Sequence, residues 1–289
     1  MPIQARKVDP QNTWMNVLNY GHPGEGKTHL GGTIQGVEGM SNLLFVNAEG
    51  GEDTLGNVPQ GEDITVIDIN DYKEFNEIYE FARAHAHFRD QYEAGNKEAY
   101  QKLIKLHATL FGMEEDAVDE PIIFKSIVLD SLTEIQKYAM YMILGIDPKK
   151  FKLDEIDKGA LIQDWGKNSS LIRKLIRAFR DLKMHTIFNA LENRDKDENT
   201  GKITILPSLP GKLAMEVSGM VDLVGRITTQ KGKDGKLHRI LAVQPSGNFV
   251  AKDRSNNLGE YLIDPDFEEI YNLYTGRKTR ADYPKYVSK

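Results

Sequence analysis

The chain contains no cysteine among its 289 residues. Disulfide bonds, thiolate zinc sites and a thiol nucleophile are therefore excluded, and the composition fits a reducing compartment. No apolar run approaches the roughly 20 residues that a membrane-spanning helix needs, and residues 1–10 have no signal-peptide core. An excess of positive charge is also missing: the formal net charge is −6, so any nucleic-acid surface must be local. We expect a cytoplasmic protein with no membrane partner.

One stretch is rich in glycine instead: residues 16–32 read NVLNYGHPGEGKTHLGG. Its centre fits the pattern G-x-x-x-x-G-K-[S/T], in which backbone N–H groups surround a phosphate, the lysine reaches the β- and γ-phosphates and the hydroxyl binds Mg²⁺. An apolar run precedes it, and a helix that starts at the lysine would add its dipole to the anion site. The predicted nucleotide-binding residues are Gly21, His22, Pro23, Gly24, Glu25, Gly26, Lys27, Thr28 and His29.

The rest of the chain alternates between strand and helix patterns. Apolar runs at residues 42–49, 63–69, 125–130 and 185–191 predict strands, and amphipathic segments at 70–85 and 169–182 predict helices. After Val221, short strands around residues 233–235 indicate hairpins. We predict an α/β fold: a mostly parallel sheet with helices on both faces and an antiparallel C-terminal extension.

Three boundaries follow from this pattern. Residues 1–13 would form an N-terminal arm, residues 14–264 the core, and residues 265–289 a C-terminal helix with a basic, frayed tail. Residues 84–120 are charged and helix-prone and interrupt the alternation. We interpret them as an inserted helical hairpin that protrudes into solvent.

A second nucleotide motif is Ile127-Val128-Leu129-Asp130, the pattern of a buried strand that delivers a carboxylate toward Mg²⁺. The next residue is Ser131, whereas a glutamate often follows where this strand also activates water. A general base must therefore come from elsewhere. Glu49, at the end of the strand after the phosphate loop, would lie at the carboxyl edge of the sheet and is the candidate.

Together these motifs resemble RecA-type P-loop ATPases, and most closely the phage-encoded, core-only RecA-like proteins of single-strand annealing and recombination, an AAA-type phage nucleotide-binding family. In RecA-type proteins an Ala-Glu pair supplies the catalytic base, as Ala48-Glu49 would here, and the magnesium strand ends Asp-Ser, as at Asp130-Ser131. The resemblance covers about residues 14–257. It implies cytoplasmic action, in the host cytoplasm if the chain is phage-encoded.

The resemblance also implies a γ-phosphate sensor on the next core strand, usually Asn-Gln or a histidine. That strand reads FNALE here, a departure from the family pattern, and Asn189 and Glu192 are the candidates. Farther on, VAKDRSN resembles a strand whose paired basic residues reach a neighbouring subunit's nucleotide. Lys252 and Arg254 match it by spacing and, if extended, share one side of the strand.

RecA-type proteins hold single-stranded DNA with two mobile loops, whose counterparts are residues 145–165 and 193–213. The second is rich in glycine, proline and lysine, and mobile cations are what phosphate tracking requires. Its candidate DNA-binding residues are Arg194, Lys196, Lys202 and Lys212. Trp165, at the end of the first loop, is expected to pack inward rather than to stack on a base.

The combined prediction is a Mg²⁺-dependent ATPase of RecA type that acts on single-stranded DNA as a homo-oligomeric ring or filament, with a single-strand-binding protein as a possible partner. ATP and Mg²⁺ are its cofactors; Lys27, Glu49, Lys252 and Arg254 are catalytic, and Thr28 and Asp130 hold the metal. Three alternatives stay open: an AAA-type protein remodeller, which needs a helical lid domain, a small-metabolite P-loop kinase, and a nucleotide-gated assembly module that hydrolyses poorly.

Overall fold

The computed structural model describes residues 14–150, 152, 159–198 and 201–286. Within these residues one sheet organises the chain. Its strands are β1 (Asn16–Gly21), β2 (Leu43–Asn47), β3 (Thr65–Asp68), β4 (Ser126–Asp130), β5 (His185–Lys196), β6 (Ile203–Pro207), β7 (Leu223–Lys231), β8 (Leu237–Ala242), β9 (Lys252–Asp253) and β10 (Tyr261–Ile263). The helices are α1 (Lys27–Gly32), α2 (Glu74–Glu93), α3 (Lys97–Phe111), α4 (Leu132–Leu144), α5 (Ile162–Arg180), α6 (Leu213–Met220) and α7 (Phe267–Tyr274).

The strand order is β10-β8-β7-β1-β5-β4-β2-β3, with β6 paired to β5 and β9 paired to β7. All neighbours from β7 to β3 are parallel, whereas β8, β10, β6 and β9 pair antiparallel. The predicted fold class, a mostly parallel sheet with an antiparallel C-terminal extension, is confirmed. In a parallel sheet the carboxyl ends of β1, β5, β4 and β2 meet at one edge, where ligands bind in such folds.

Both faces of the sheet are covered, which is why its central strands are apolar throughout. On one face Leu18 packs in a core with residues of α2, α4, α5 and α6. On the other face its neighbour Val17 packs with α1 and α7. This alternation places α1 directly over the strands that carry the predicted nucleotide motifs.

The predicted insertion begins too early. Helix α2 runs without a break from Glu74 to Glu93, and Ala86 and Arg89, beyond the predicted start at residue 84, are buried against the core. The first part of the predicted insertion therefore continues the crossover helix. Helix α3 packs back on α2, so a helical hairpin is present, and Ile104 and Ala108 with Val118 form a small apolar cluster of its own.

The basic tail is not frayed over residues 276–286. The ammonium of Lys285 bonds the buried carboxylate of Glu269 at 2.8 Å, and the guanidinium of Arg280 donates to the Tyr261 carbonyl at 2.8 Å. Each cation finds an acceptor on the body of the protein, which a composition-based prediction does not reveal. Residues 1–13, the predicted arm, lie outside the described residues.

Candidate nucleotide site

The phosphate loop joins the end of β1 at Gly21 to the start of α1 at Lys27. Gly24 has φ +79° and Gly26 has φ +92°, a left-handed conformation that side chains with a Cβ rarely adopt. These two glycines let the backbone turn tightly between strand and helix. The glycine pattern therefore has a conformational cause as well as the chemical one.

Lys27 is almost wholly buried, with 6% of its surface exposed. Its ammonium donates to the carbonyls of His22 at 2.9 Å and Gly21 at 3.2 Å, which folds the side chain over the loop. Burial lowers the pKa of Lys27, and the negative charges of Asp130 and Glu49 oppose this shift. The hydrogen bonds thus hold the lysine against the loop it is expected to serve.

Thr28 and Asp130 meet at the carboxyl edge of the sheet. The Thr28 hydroxyl donates to Oδ2 of Asp130 at 2.6 Å, while Oδ1 of Asp130 is buried without a hydrogen-bond partner. Burial raises the pKa of Asp130, the Thr28 hydrogen bond opposes this, and the Glu49 charge adds to it. A carboxylate oxygen that lacks a partner beside a hydroxyl fits a Mg²⁺ ion, which prefers one or two protein oxygens with phosphates and water.

Among the described residues, no group of three or more His, Cys, Asp or Glu side chains could hold a metal without other ligands. Magnesium at Thr28 and Asp130 would complete its coordination with water and with phosphate oxygens of a bound nucleotide. That is the arrangement expected of a metal that arrives with ATP.

Glu49 lies in a turn that the neighbouring strands position. Strand β2 pairs with β4 so that Asn47 stands opposite Asp130, and the Ala48 amide donates to the Asp130 carbonyl at 2.7 Å. The Asn47 side chain accepts from the Gly50 amide at 2.9 Å and donates to Glu52 and Asp68. Glu49 itself is exposed. Asn47, which the sequence analysis did not single out, therefore holds the turn that carries the proposed base.

Asn189 is completely buried beneath α1 and stands in register with Asn19 of β1. It lies close enough to Asp130 to favour the ionised carboxylate, yet its amide atoms form no hydrogen bond, and neither do those of Asn19. A nucleotide contact for Asn189 therefore stays a prediction. Its position under α1, beside Asp130, places the amide next to the proposed magnesium carboxylate.

Glu192 follows three residues later on the same strand, and its side chain is 1% exposed. One carboxylate oxygen lies 3.0 Å from Nε of Arg226, and the other lies 2.9 Å from Nε2 of His22 in the phosphate loop. Arg194, one of the predicted DNA-binding residues, approaches at 3.9 Å. Glu192 thus links the phosphate loop to two arginines, and a sensor role remains a prediction.

Lys252 and Arg254 lie near the amino-terminal ends of β1 and β7, whereas the phosphate loop follows the carboxyl end of β1. Strand β9 pairs with the start of β7 at Leu223, far from the phosphate loop at the other end of β1. The Lys252 ammonium donates to the Val221 carbonyl at 2.7 Å, and Arg254 pairs with Asp222. Neither cation is free within its own chain, and neither is placed near its own nucleotide site; a role at a neighbour's site stays a prediction.

The second predicted DNA loop is in large part a β-hairpin. Strands β5 and β6 pair from Glu192 to Lys196, so the prediction of an extended mobile loop is wrong for this part. Alternation along β5 puts Arg194 and Lys196 on one side and Asp195 on the other. Lys196 faces Ile203, which is 48% exposed. The hairpin therefore presents a basic side, defined by Arg194 and Lys196.

The other DNA candidates are separate from that basic side. Lys202 is exposed beyond the paired residues, and Lys212 precedes α6. Of the first loop, residues 151 and 153–158 lie outside the described residues. Trp165 is 50% exposed, so the prediction that it packs inward is wrong.

Two residues of the β7–β8 hairpin contact the phosphate loop although no motif marks them. The Thr229 hydroxyl bonds the Glu25 carboxylate, and the Arg239 side chain packs on Gly26. Strands β7 and β8 are distant from the loop in sequence. Thr229 and Arg239 reach the loop because β7 lies beside β1 in the sheet and β8 pairs with β7.

Comparisons with known proteins place this site in a family. A family model described as AAA domain matches residues 13–255. No curated protein matches the sequence with significance. Among solved structures, the RadB recombinase is similar at 14% identity, with 79% of each chain covered and a TM-score of 0.34.

Two further solved structures are similar at low identity. An ATPase from the type III secretion system of pathogenic bacteria has 13% identity, with 74% of this chain and 52% of that chain covered and a TM-score of 0.35. An uncharacterized protein, PH0321 from Pyrococcus horikoshii in complex with an unknown peptide, has 9% identity over 81% and 84% of the chains and a TM-score of 0.32.

No helix in the described part of the chain is both long and apolar enough to cross a bilayer. The family match covers the phosphate loop, the Asp130 strand and the hairpin that packs on the loop. With the phosphate loop, the Thr28–Asp130 pair and the mostly parallel sheet in place, the chain has the P-loop NTPase fold and belongs to the AAA domain family.

Proposed function

We propose that this chain is a Mg²⁺-dependent ATPase of RecA type that acts on single-stranded DNA as a homo-oligomer in recombination or annealing. The observation that carries the ATPase part is the contact between Thr28 and Asp130, 2.6 Å long, beside a buried Lys27. A hydroxyl, a carboxylate and an ammonium around one glycine loop are the groups that a Mg²⁺-nucleotide requires.

Each residue has a defined task in this proposal. Lys27 neutralises the β- and γ-phosphates, and Thr28 and Asp130 hold Mg²⁺, which when bound neutralises charge that develops on the phosphates. Glu49, exposed at the same edge, accepts a proton from the attacking water. Its turn lies close to the metal pair, since a Cβ on Gly51 would stand 3.8 Å from Oγ1 of Thr28.

Single-stranded DNA as the substrate rests on two surfaces. The basic side of the β5–β6 hairpin offers Arg194 and Lys196 to phosphates, and the half-exposed Trp165 offers a ring on which a base can stack. Glu192 joins the hairpin to His22 of the phosphate loop, which gives nucleotide binding a route to the DNA surface.

Within the described residues the helical lid domain that a protein remodeller needs is missing, because strands β7, β8, β9 and β10 and the eight-residue α7 follow α6. The assembly-module alternative differs from the proposal only in turnover. It predicts ATP binding with little hydrolysis, whether or not DNA is present.

The test is ATP turnover of the purified chain with single-stranded DNA, with duplex DNA and without DNA. We expect magnesium-dependent hydrolysis that single-stranded DNA stimulates, and its loss in Lys27→Ala. Lys102→Ala, an exposed lysine of α3, is the matched control and should behave as the wild type. Hydrolysis by Lys27→Ala at the wild-type rate would contradict the site, and equal rates under all three DNA conditions would contradict the substrate.

A further inference from the structure

The β7–β8 hairpin contacts the phosphate loop. Thr229 and Arg239 face each other in register on its two strands. The hydroxyl of Thr229 bonds the carboxylate of Glu25, and a Cβ added to Gly26 would stand 2.5 Å from Nε of Arg239. One cross-strand pair therefore contacts two consecutive residues of the loop.

The guanidinium of Arg239 has no partner among the residues that the structure describes. Its side chain is exposed, and within the described chain no hydrogen bond or ion pair joins the guanidinium to another residue. Arg226 on the neighbouring strand pairs with Glu192, and Arg254 pairs with Asp222. Arg239 thus differs from these arginines in being available to an external anion.

The backbone of Arg239 is held in place. Its amide donates to Oδ1 of Asp264 at 2.8 Å, and its carbonyl accepts from the Asp264 amide at 2.7 Å. The charge also reaches into the site: burial lowers the pKa of His29, and the Arg239 guanidinium lowers it further. These contacts therefore hold the backbone of Arg239 in a strand beside the phosphate loop, while its guanidinium stays exposed.

We propose that Arg239 binds a phosphate group of the nucleotide in the same chain. The inference rests on the proposed nucleotide site. Lys27 bonds the carbonyls of Gly21 and His22 at the start of the loop, whereas Arg239 lies at its last residue, Gly26. A guanidinium offers up to five N–H donors in a plane and suits phosphate oxygens. The two cations then contact the bound polyphosphate from opposite ends of the loop.

The experiment measures binding of a slowly hydrolysed ATP analogue with Mg²⁺ and, separately, of inorganic tripolyphosphate. Arg239→Ala should weaken both by about tenfold, the scale of one hydrogen-bonded contact to a charged group. Arg239→Lys should recover part of the affinity because it keeps the charge. Lys236→Ala, an exposed lysine at the tip of the same hairpin, is the matched control and should bind both ligands as the wild type does.

Unchanged affinity of Arg239→Ala for both ligands would overturn the inference. So would a loss confined to the analogue with tripolyphosphate binding intact, because this would place Arg239 on the sugar or base. Thermal unfolding of each variant checks the fold, and Arg239→Gln, which keeps most of the side-chain stem, replaces Arg239→Ala if the latter is destabilised. A wild-type chain that binds neither ligand would instead refute the proposed nucleotide site itself.

Discussion

The hydroxyl of Thr28 donates a hydrogen bond of 2.6 Å to Asp130, which lies 102 positions later in the chain. The contact forms because β1 and β4 both pair with β5 in a parallel sheet and therefore end at the same edge. The remaining carboxylate oxygen is buried and has no partner. Two motifs that are far apart in the sequence thus meet in one hydrogen-bonded pair, which we propose holds Mg²⁺.

Replacing Asp130 with asparagine tests this pair. The variant keeps the shape and the hydrogen-bond acceptor of the side chain but removes its charge, so Mg²⁺ should bind less well. We expect the magnesium concentration for half-maximal ATP turnover to rise by at least about tenfold. The exposed Asp116→Asn is the control. An unchanged magnesium requirement would remove Asp130 from the metal site.

Glu49→Gln should retain ATP binding, since Glu49 is exposed at the end of its strand and is assigned to water instead of to the nucleotide. Turnover should fall by about 10²-fold or more, the usual scale for a general base. Single-turnover hydrolysis and equilibrium binding separate these two effects. Normal hydrolysis would place the base elsewhere. Glu62→Gln, an exposed glutamate in the connection between β2 and β3, serves as the matched variant.

The basic side of the β5–β6 hairpin should contribute to DNA affinity. The double variant Arg194→Ala with Lys196→Ala should weaken single-strand binding. The slope of the logarithm of the binding constant against the logarithm of the salt concentration should become shallower by roughly 0.7 per lost phosphate contact. Lys102→Ala with Lys105→Ala, on the exposed face of α3, removes the same charge far from the hairpin. Equal salt slopes for the two double variants would move the DNA site away from this hairpin. Lys202→Ala with Lys212→Ala tests the other two predicted cations in the same assay.

The trans role of Lys252 and Arg254 can be separated from their contacts within the chain. If Arg254 reaches a neighbour's phosphate, Arg254→Ala folds and binds ATP but hydrolyses it poorly. Mixing it with Lys27→Ala should then restore part of the activity, because an intact loop can face an intact arginine. A lower unfolding temperature without any recovery in the mixture would instead assign Arg254 to its ion pair with Asp222.

Two buried histidines predict a pH-dependent stability. Burial lowers the pKa of His85 to about 4 and that of His185 to about 3, both below the value of the unfolded chain. The unfolded state therefore binds more protons below about pH 6.5, so this stabilisation is complete above that pH and decreases as the pH falls toward the folded values. For each histidine, the free energy of unfolding should fall by about 1.4 kcal/mol for every pH unit in that window.

Urea unfolding between pH 7 and pH 4.5 measures the effect. His185→Gln should lose stability at pH 7 but show a shallower pH dependence than the wild type. His87→Gln, an exposed histidine on α2, should change neither quantity. A pH dependence that is identical in the wild type and His185→Gln would show that His185 does not carry it.

The phosphate loop could be recognised from the sequence because its requirements are contiguous. The glycines at positive φ, the lysine and the hydroxyl are set by neighbours along the chain, so a short pattern contains the whole device. Apolar runs likewise identified the core strands, since strands buried on both faces must be apolar throughout. The same reasoning placed the start of the insertion wrongly, because α2 continues without a break past residue 84 and no turn or capping residue marks that position in the sequence.

The contacts around the loop depend on which strands become neighbours and in what register, and a single sequence does not encode these in any local pattern. Only the pairing of β2 with β4 sets Asn47 opposite Asp130. The antiparallel hairpin beside β1 brings Arg239 to Gly26. The pairing of β9 with the start of β7 brings Lys252 to the Val221 carbonyl and Arg254 to Asp222 in their own chain. The sequence alone therefore determined the fold class and the phosphate loop, whereas sheet order and register decided which side chains surround it, because those contacts join residues that only tertiary packing brings together.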